Sequence, residues 1–72
     1  MSVFGDRLKE LRSARGVMQK DLAAYLGTTT LAYQRYEYGD REPNFEKLVA
    51  LANYFNVSTD YLLGLSINPT RR

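Results

Sequence analysis

Four glycines, at positions 16, 27, 39 and 64, each stand directly after a stretch whose apolar residues recur at three- and four-residue intervals. That punctuation leaves room for short helices and little else. A half-buried strand would need apolar and polar residues to alternate, and no segment does so. Before Gly16, Phe4, Leu8, Leu11 and Ala14 share one helical face, while Arg7, Lys9, Glu10 and Arg12 lie elsewhere. After the link Gly16-Val17-Met18, residues Gln19 to Leu26 carry Leu22, Ala23 and Leu26 on one face and end at Gly27, a residue suited to a left-handed cap. Thr29 is placed to cap a third helix that reaches Tyr38 and closes at Gly39.

Gly39-Asp40-Arg41-Glu42-Pro43 reads as a loop. Asn44 then caps a fourth helix, with an expected core face of Phe45, Leu48, Ala52 and Phe55, Leu51 beside it, and Glu46 in the first turn where negative charge suits the helix dipole. Ser58 starts a fifth helix that Gly64 ends, and Val57 and Leu62 are spaced for a hydrophobic staple across its start. The expectation is an all-α bundle of five short helices, with one domain over residues 1–66 and a C-terminal tail over 67–72.

Seventy-two residues suffice for one small core. The absence of cysteine excludes disulfides and thiolate metal sites, so packing alone holds the core. Histidine is also absent, which removes the side chain best suited to proton transfer near neutral pH. Asp21, Asp40 and Glu42 lack the spacing of a metal-dependent nuclease site. No catalytic residue, metal, cofactor or small-molecule ligand is therefore expected. The longest apolar run is Leu48 to Ala52, far short of a membrane span, and no leader-like segment opens the chain, so the expected location is the cytoplasm. A net charge of +2, a pI near 9.1 and Arg7, Lys9, Arg12, Arg15 and Lys20 near the N-terminus fit a polyanionic partner, and fit solvated helix faces equally well.

The decisive constellation is two short helices joined across Gly27, with the small Ala23 where they approach closely, so that the second helix can stand out from the body. Gln19, Ala23, Gly27, Tyr36, Glu37 and Gly39, followed by Arg41-Glu42-Pro43, resemble the Cro/C1-type (Xre-like) family of phage and bacterial repressors. The resemblance also covers Arg7-Leu8-Lys9-Glu10-Leu11-Arg12 and Asn56-Val57-Ser58-Thr59-Asp60-Tyr61-Leu62-Leu63-Gly64, and so spans residues 4–64. It implies a lambda-repressor-like fold and a sequence-specific transcriptional regulator that binds double-stranded DNA.

The resemblance assigns base reading in the major groove to Thr30, Leu31 and Arg35. The chemistry agrees: Arg35 can donate two hydrogen bonds to guanine, Leu31 can pack on a thymine methyl, and Thr30 can use its methyl or its hydroxyl. Gln19, Thr29, Gln34, Tyr38, Arg41 and Asn44 are expected at the DNA backbone. Tyr33 and Tyr36 lie on the inner side of the same helix. Arg12 and Glu37 match a family ion pair that ties the first helix to the end of the third. Two positions depart from the family pattern: Met18 replaces the usual threonine or serine cap, with Asp21 softening the loss, and Tyr33 replaces a smaller aliphatic residue. One small module makes few base contacts, so a homodimer on a palindromic operator is expected, with Tyr61, Leu62, Leu65 and Ile67 as the candidate interface. The alternative from another class is a protein-binding antitoxin or adaptor, which an acidic or apolar face on the third helix would favour.

Overall fold

In the computed structural model, which describes residues 2–71, the chain forms α1 (Val3–Arg15), α2 (Gln19–Leu26), α3 (Thr30–Tyr38), α4 (Phe45–Phe55) and α5 (Thr59–Leu63), and the described residues contain no strand. Four of the five helices open on a side chain that accepts the first free backbone N–H groups. Ser2 Oγ accepts from Gly5 at 2.9 Å, Thr29 Oγ1 from Ala32 at 3.1 Å, Asn44 Oδ1 from Lys47 at 2.8 Å, and Ser58 Oγ from Tyr61 at 3.0 Å. At α2 the compensation works from inside the helix: the Asp21 carboxylate accepts from the Met18 N–H at 3.1 Å, the second half of a capping box. Helix α2 consequently starts at Gln19, as expected.

The core is formed by Leu8, Leu22, Ala23, Tyr33, Tyr36, Leu51, Ala52, Phe55, Val57 and Leu62, with Phe4, Leu11, Leu26 and Leu48 packed around it. α2 packs on α3, and α1 lies against both α3 and α5. Two sequence expectations fail at the ends of helices. Phe45 is 87% exposed, because side chains lean toward a helix N-terminus and the first residue of α4 overhangs the bundle; the core stripe begins at Leu48. Ala14 is exposed as well. The last turn of α1 instead directs Arg15 to the carbonyls of Tyr54 and Phe55, at 2.9 and 3.1 Å, where a cation suits the C-terminus of α4.

The segment after Gly64 has no regular structure among the described residues, and it is fastened to the body. Ser58 N–H donates to the Pro69 carbonyl at 3.0 Å, and Arg71 Nη2 donates to Asn53 Oδ1 at 2.6 Å. Arg72, the last residue of the expected tail, lies outside the described residues.

Among the glycines, the tightest surroundings fall at one the sequence reading passed over. Gly5, inside α1, sits so near the end of α3 that an added methyl would lie 2.4 Å from the Glu37 carbonyl oxygen and 2.8 Å from that of Tyr36. Both neighbours are backbone and cannot turn aside. A Gly5→Ala substitution, favourable by helix propensity alone, is expected to cost about 3 kcal/mol by overpacking. Urea unfolding followed by circular dichroism checks this, and a variant as stable as the wild type contradicts the packing described.

Candidate nucleic-acid interface

α3 has two distinct faces. Inward, Tyr33, Tyr36 and Glu37 are buried, and the two tyrosine rings meet edge to face with centroids 6.1 Å apart. Outward, Thr30, Arg35 and Tyr38 are exposed, and Leu31 is 61% exposed although it is apolar. A buried Leu22–Ala23 pair on α2 holds the inner side, so the outer side is presented by a supported helix.

Thr29, Leu31, Ala32 and Arg35 line a shallow recess together with Arg41 from the loop before α4. Two guanidinium groups thus flank one depression. Neither takes part in an ion pair among the described residues, where Arg12–Glu37 is the pair found. Thr29 and Asn44 keep polar hydrogens free, because their capping bonds use only the side-chain oxygen as acceptor. Thr30, Gln34, Tyr38 and Asn44 do not line the recess. Phe45, at the first position of α4, projects beside Asn44 into solvent.

Behind this face lies a connected polar cluster. Arg12 Nε donates to Glu37 Oε2 at 2.7 Å and Arg12 Nη2 to Glu37 Oε1 at 3.2 Å, the forked geometry that makes arginine–carboxylate pairs strong. Arg12 Nη1 also donates to the Val17 carbonyl at 3.0 Å, so a single side chain joins α1, the α1–α2 link and α3. Gln19 Nε2 donates to Glu37 Oε1 at 3.1 Å, and Gln34 Nε2 donates to Gln19 Oε1 at 3.0 Å. Burial by itself pushes the Glu37 carboxyl up, but the hydrogen bonds from Arg12 and Gln19, with the Tyr33 hydroxyl close by, outweigh it and hold the group below its ordinary value. The same contacts raise Arg12 further, chiefly through its hydrogen bond to Glu37. Burial, followed by the neighbouring Glu37 charge, raises the Tyr33 phenol and keeps it neutral.

Gln19 and Gln34, expected at the DNA backbone, are in addition partners within the protein. Leu62 is fully buried in the monomer core, behind the Ser58 cap, and is removed from the candidate dimer surface. Tyr61 is half-buried under the Arg7 guanidinium, which lies 4.2 Å above its ring, while Leu65 and Ile67 are 75% and 91% exposed. Of the two readings open for the N-terminal basic residues, a polyanionic partner or solvated helix faces, neither describes the arginines of α1, which bond within the protein. Arg7 donates to the carbonyls of Tyr61 and Ser66, Arg12 to Glu37, and Arg15 to the end of α4. Sequence reasoning did not find the Gln19–Gln34 contact; two amides fifteen positions apart on different helices carry no periodic signal.

The helix-turn-helix family profile matches residues 8–62. The SPbeta prophage-derived uncharacterized HTH-type transcriptional regulator YonR of Bacillus subtilis (strain 168) is 44% identical over 61 residues, covering 85% of this chain and 56% of that protein. The HTH-type transcriptional regulator ImmR of the same organism is 45% identical over 61 residues, covering 85% of this chain and 48% of its own. The chain spans about half the length of these curated relatives. The crystal structure of the P22 c2 repressor protein in complex with a synthetic operator is similar with a TM-score of 0.80 and 32% identity, over 88% of this chain and 96% of that one.

The lowered carboxyl of Glu37 fixes a pH dependence. A carboxylate whose folded pKa lies below its unfolded value contributes stability that is present above the ordinary carboxylate range and is lost as pH falls through the folded value. Glu37→Gln is therefore expected to lose about 2 kcal/mol near neutrality, the scale of a hydrogen bond to a charged group. The gap to the wild type should narrow as pH drops below about 4.3, the ordinary glutamate value. Chemical unfolding of both proteins across this range tests it; a gap independent of pH would remove the ion pair from the account.

Proposed function

The chain belongs to the helix-turn-helix family of Cro/C1-type (Xre-like) regulators, and from that premise we propose that it is the operator-binding module of a transcriptional repressor, with α3 lying in the major groove of double-stranded DNA. Thr30, Leu31 and Arg35 meet base edges. Arg35 forks onto guanine O6 and N7, Leu31 covers a thymine methyl, and Thr30 adapts through its methyl or hydroxyl. Thr29, Arg41 and Asn44, with Gln19, Gln34 and Tyr38, hold the phosphates and fix the register.

The observation that carries this reading is the exposed, unpaired Arg35 beside an exposed Leu31 on a helix whose opposite side is locked into the core. An exposed leucine beside a free guanidinium on a supported helix fits a partner that is both anionic and patterned with methyl groups and acceptors. Duplex DNA fits that description. Two copies act together on half-sites about one helical turn apart, and Tyr61, Leu65 and Ile67 supply apolar surface between them. Occupancy of a palindromic operator then blocks transcription from the promoter it overlaps, in the cytoplasm where the DNA lies.

Two measurements decide the matter. Selection of bound sequences from random duplexes should yield a preferred site, and Arg35→Ala should erase preference at one base pair by about 1 to 3 kcal/mol while leaving the others. Uniform weakening would reassign Arg35 to the backbone, and salt-independent binding or none would reject the DNA reading. Ile67→Glu should leave affinity for a single half-site unchanged and abolish cooperative filling of paired half-sites in gel-shift titrations; unaltered cooperativity rules out this face as the contact.

A further inference from the structure

The polar cluster behind α3 has a direction, and the direction follows from charge. Glu37 is ionised and surrounded by donors, so it accepts only. The Gln19 amide facing it must present its nitrogen, since its carbonyl oxygen in that place would face an anion. With Nε2 turned inward, Gln19 Oε1 is turned to Gln34, and Gln34 must answer as a donor, as the 3.0 Å contact from Gln34 Nε2 has it. A carboxylate buried at the base of the recognition helix thereby sets the orientation of an amide at that helix's rim.

The hydrogen inventory shows what remains. Each primary amide carries two N–H groups and one carbonyl. Gln19 spends one N–H on Glu37 and its carbonyl on Gln34, and keeps one N–H. Gln34 spends one N–H on Gln19 and keeps the other with its carbonyl. Both side chains are half-buried and retain a solvent-facing portion at the junction of α2 and α3. Two remaining N–H groups on amides in direct contact suit one small acceptor with more than one lone pair. A phosphodiester offers two unesterified oxygens, both acceptors, and no donor.

Building on the DNA reading above, we infer that Arg12 and Glu37 are positioning residues for DNA binding. Through Gln19 they hold Gln19 and Gln34 as a paired N–H donor that grips a single backbone phosphate. The two glutamines act as one unit whose polarity is set from inside the fold. The relay also presets both side chains before DNA arrives, so their rotamer freedom is already lost in the free protein and is not charged against binding.

The test is a double-mutant cycle in the 72-residue chain, read as affinity for a duplex carrying the selected site and for a random duplex at several salt concentrations. Methionine matches glutamine in length and lacks the amide. Gln19→Met and Gln34→Met should each weaken binding about tenfold, the scale of losing a hydrogen bond to a charged group. The double variant should also lose about tenfold rather than about a hundredfold, because removing either amide already disables the pair. The loss should be equal on both duplexes. The slope of affinity against salt should stay unchanged, since neutral amides release no counterions. Gln19→Glu, which is of similar size but cannot donate to Glu37, should lose at least as much as Gln19→Met. Losses that multiply in the double variant, or a changed preference at one base pair, overturn the relay while leaving the DNA reading intact. A wild-type chain that binds neither duplex overturns the DNA reading itself and this inference with it.

Discussion

Everything on the exposed face of α3 depends on how its C-terminal half is fixed from behind. The Arg12 fork onto Glu37 joins that half to α1, and at Gly5 the backbone of α1 comes into direct contact with the carbonyls of Tyr36 and Glu37. The two constraints are complementary. The glycine sets the distance between the helices and admits no variation, while the guanidinium sets their register, because a bidentate pair tolerates little sliding. A helix of nine residues has too few internal hydrogen bonds to be rigid by itself. The steadiness of its outer face comes from α1, which packs on the opposite side.

The same division of labour explains why net charge is a poor guide in this molecule. The arginines of α1 are consumed at home, on Glu37 and on the carbonyl ends of α4 and α5, where a cation stabilises a helix C-terminus and satisfies acceptors that short helices leave in abundance. Arg35 and Arg41 make neither an ion pair nor a side-chain hydrogen bond among the described residues; they stand far apart in sequence from that cluster and are brought side by side by the α3–α4 loop. Five short helices generate many unpaired termini for their size, and long cationic side chains are an economical way to close them. What is left for a partner is small in number and concentrated in one place.

Most of the fold was legible because its signals are local. Caps at Thr29, Asn44 and Ser58 and stops at Gly16, Gly27, Gly39 and Gly64 act within one turn of where they stand, and each appears where its spacing put it. The expected inner tyrosines, Tyr33 and Tyr36, are buried for the same reason: a helical period of 3.6 separates them from Leu31 and Arg35. Illegible features were those fixed between segments. Nothing in the sequence around Gly5 distinguishes a glycine needed for close approach from one merely tolerated, and nothing around Phe45 reveals that its helix begins beyond the edge of the body. Leu62 was ambiguous because an apolar residue near a chain end serves a core or an interface equally well until the packing is known. Its burial beneath the Ser58 cap resolves the ambiguity in favour of the core.

Tyr33 shows how a departure from the family pattern is absorbed. A ring in place of a smaller aliphatic side chain adds volume directly beneath the outer face of α3, where overpacking would shift that face. Here the ring is wholly buried, turned edge-on to Tyr36, with its hydroxyl delivered to the polar cluster around Glu37. The hydroxyl closes no hydrogen bond of normal geometry there, an arrangement that costs about 1 to 3 kcal/mol for a buried donor. Burial of the rest of the ring returns a comparable amount. The phenol stays neutral because burial and the adjacent carboxylate both oppose its ionisation. It therefore adds no second negative charge beside Glu37, and the carboxylate remains free to accept from Arg12 and Gln19. The substitution is tolerated because the one polar atom it introduces lands where the fold already gathers its polar groups.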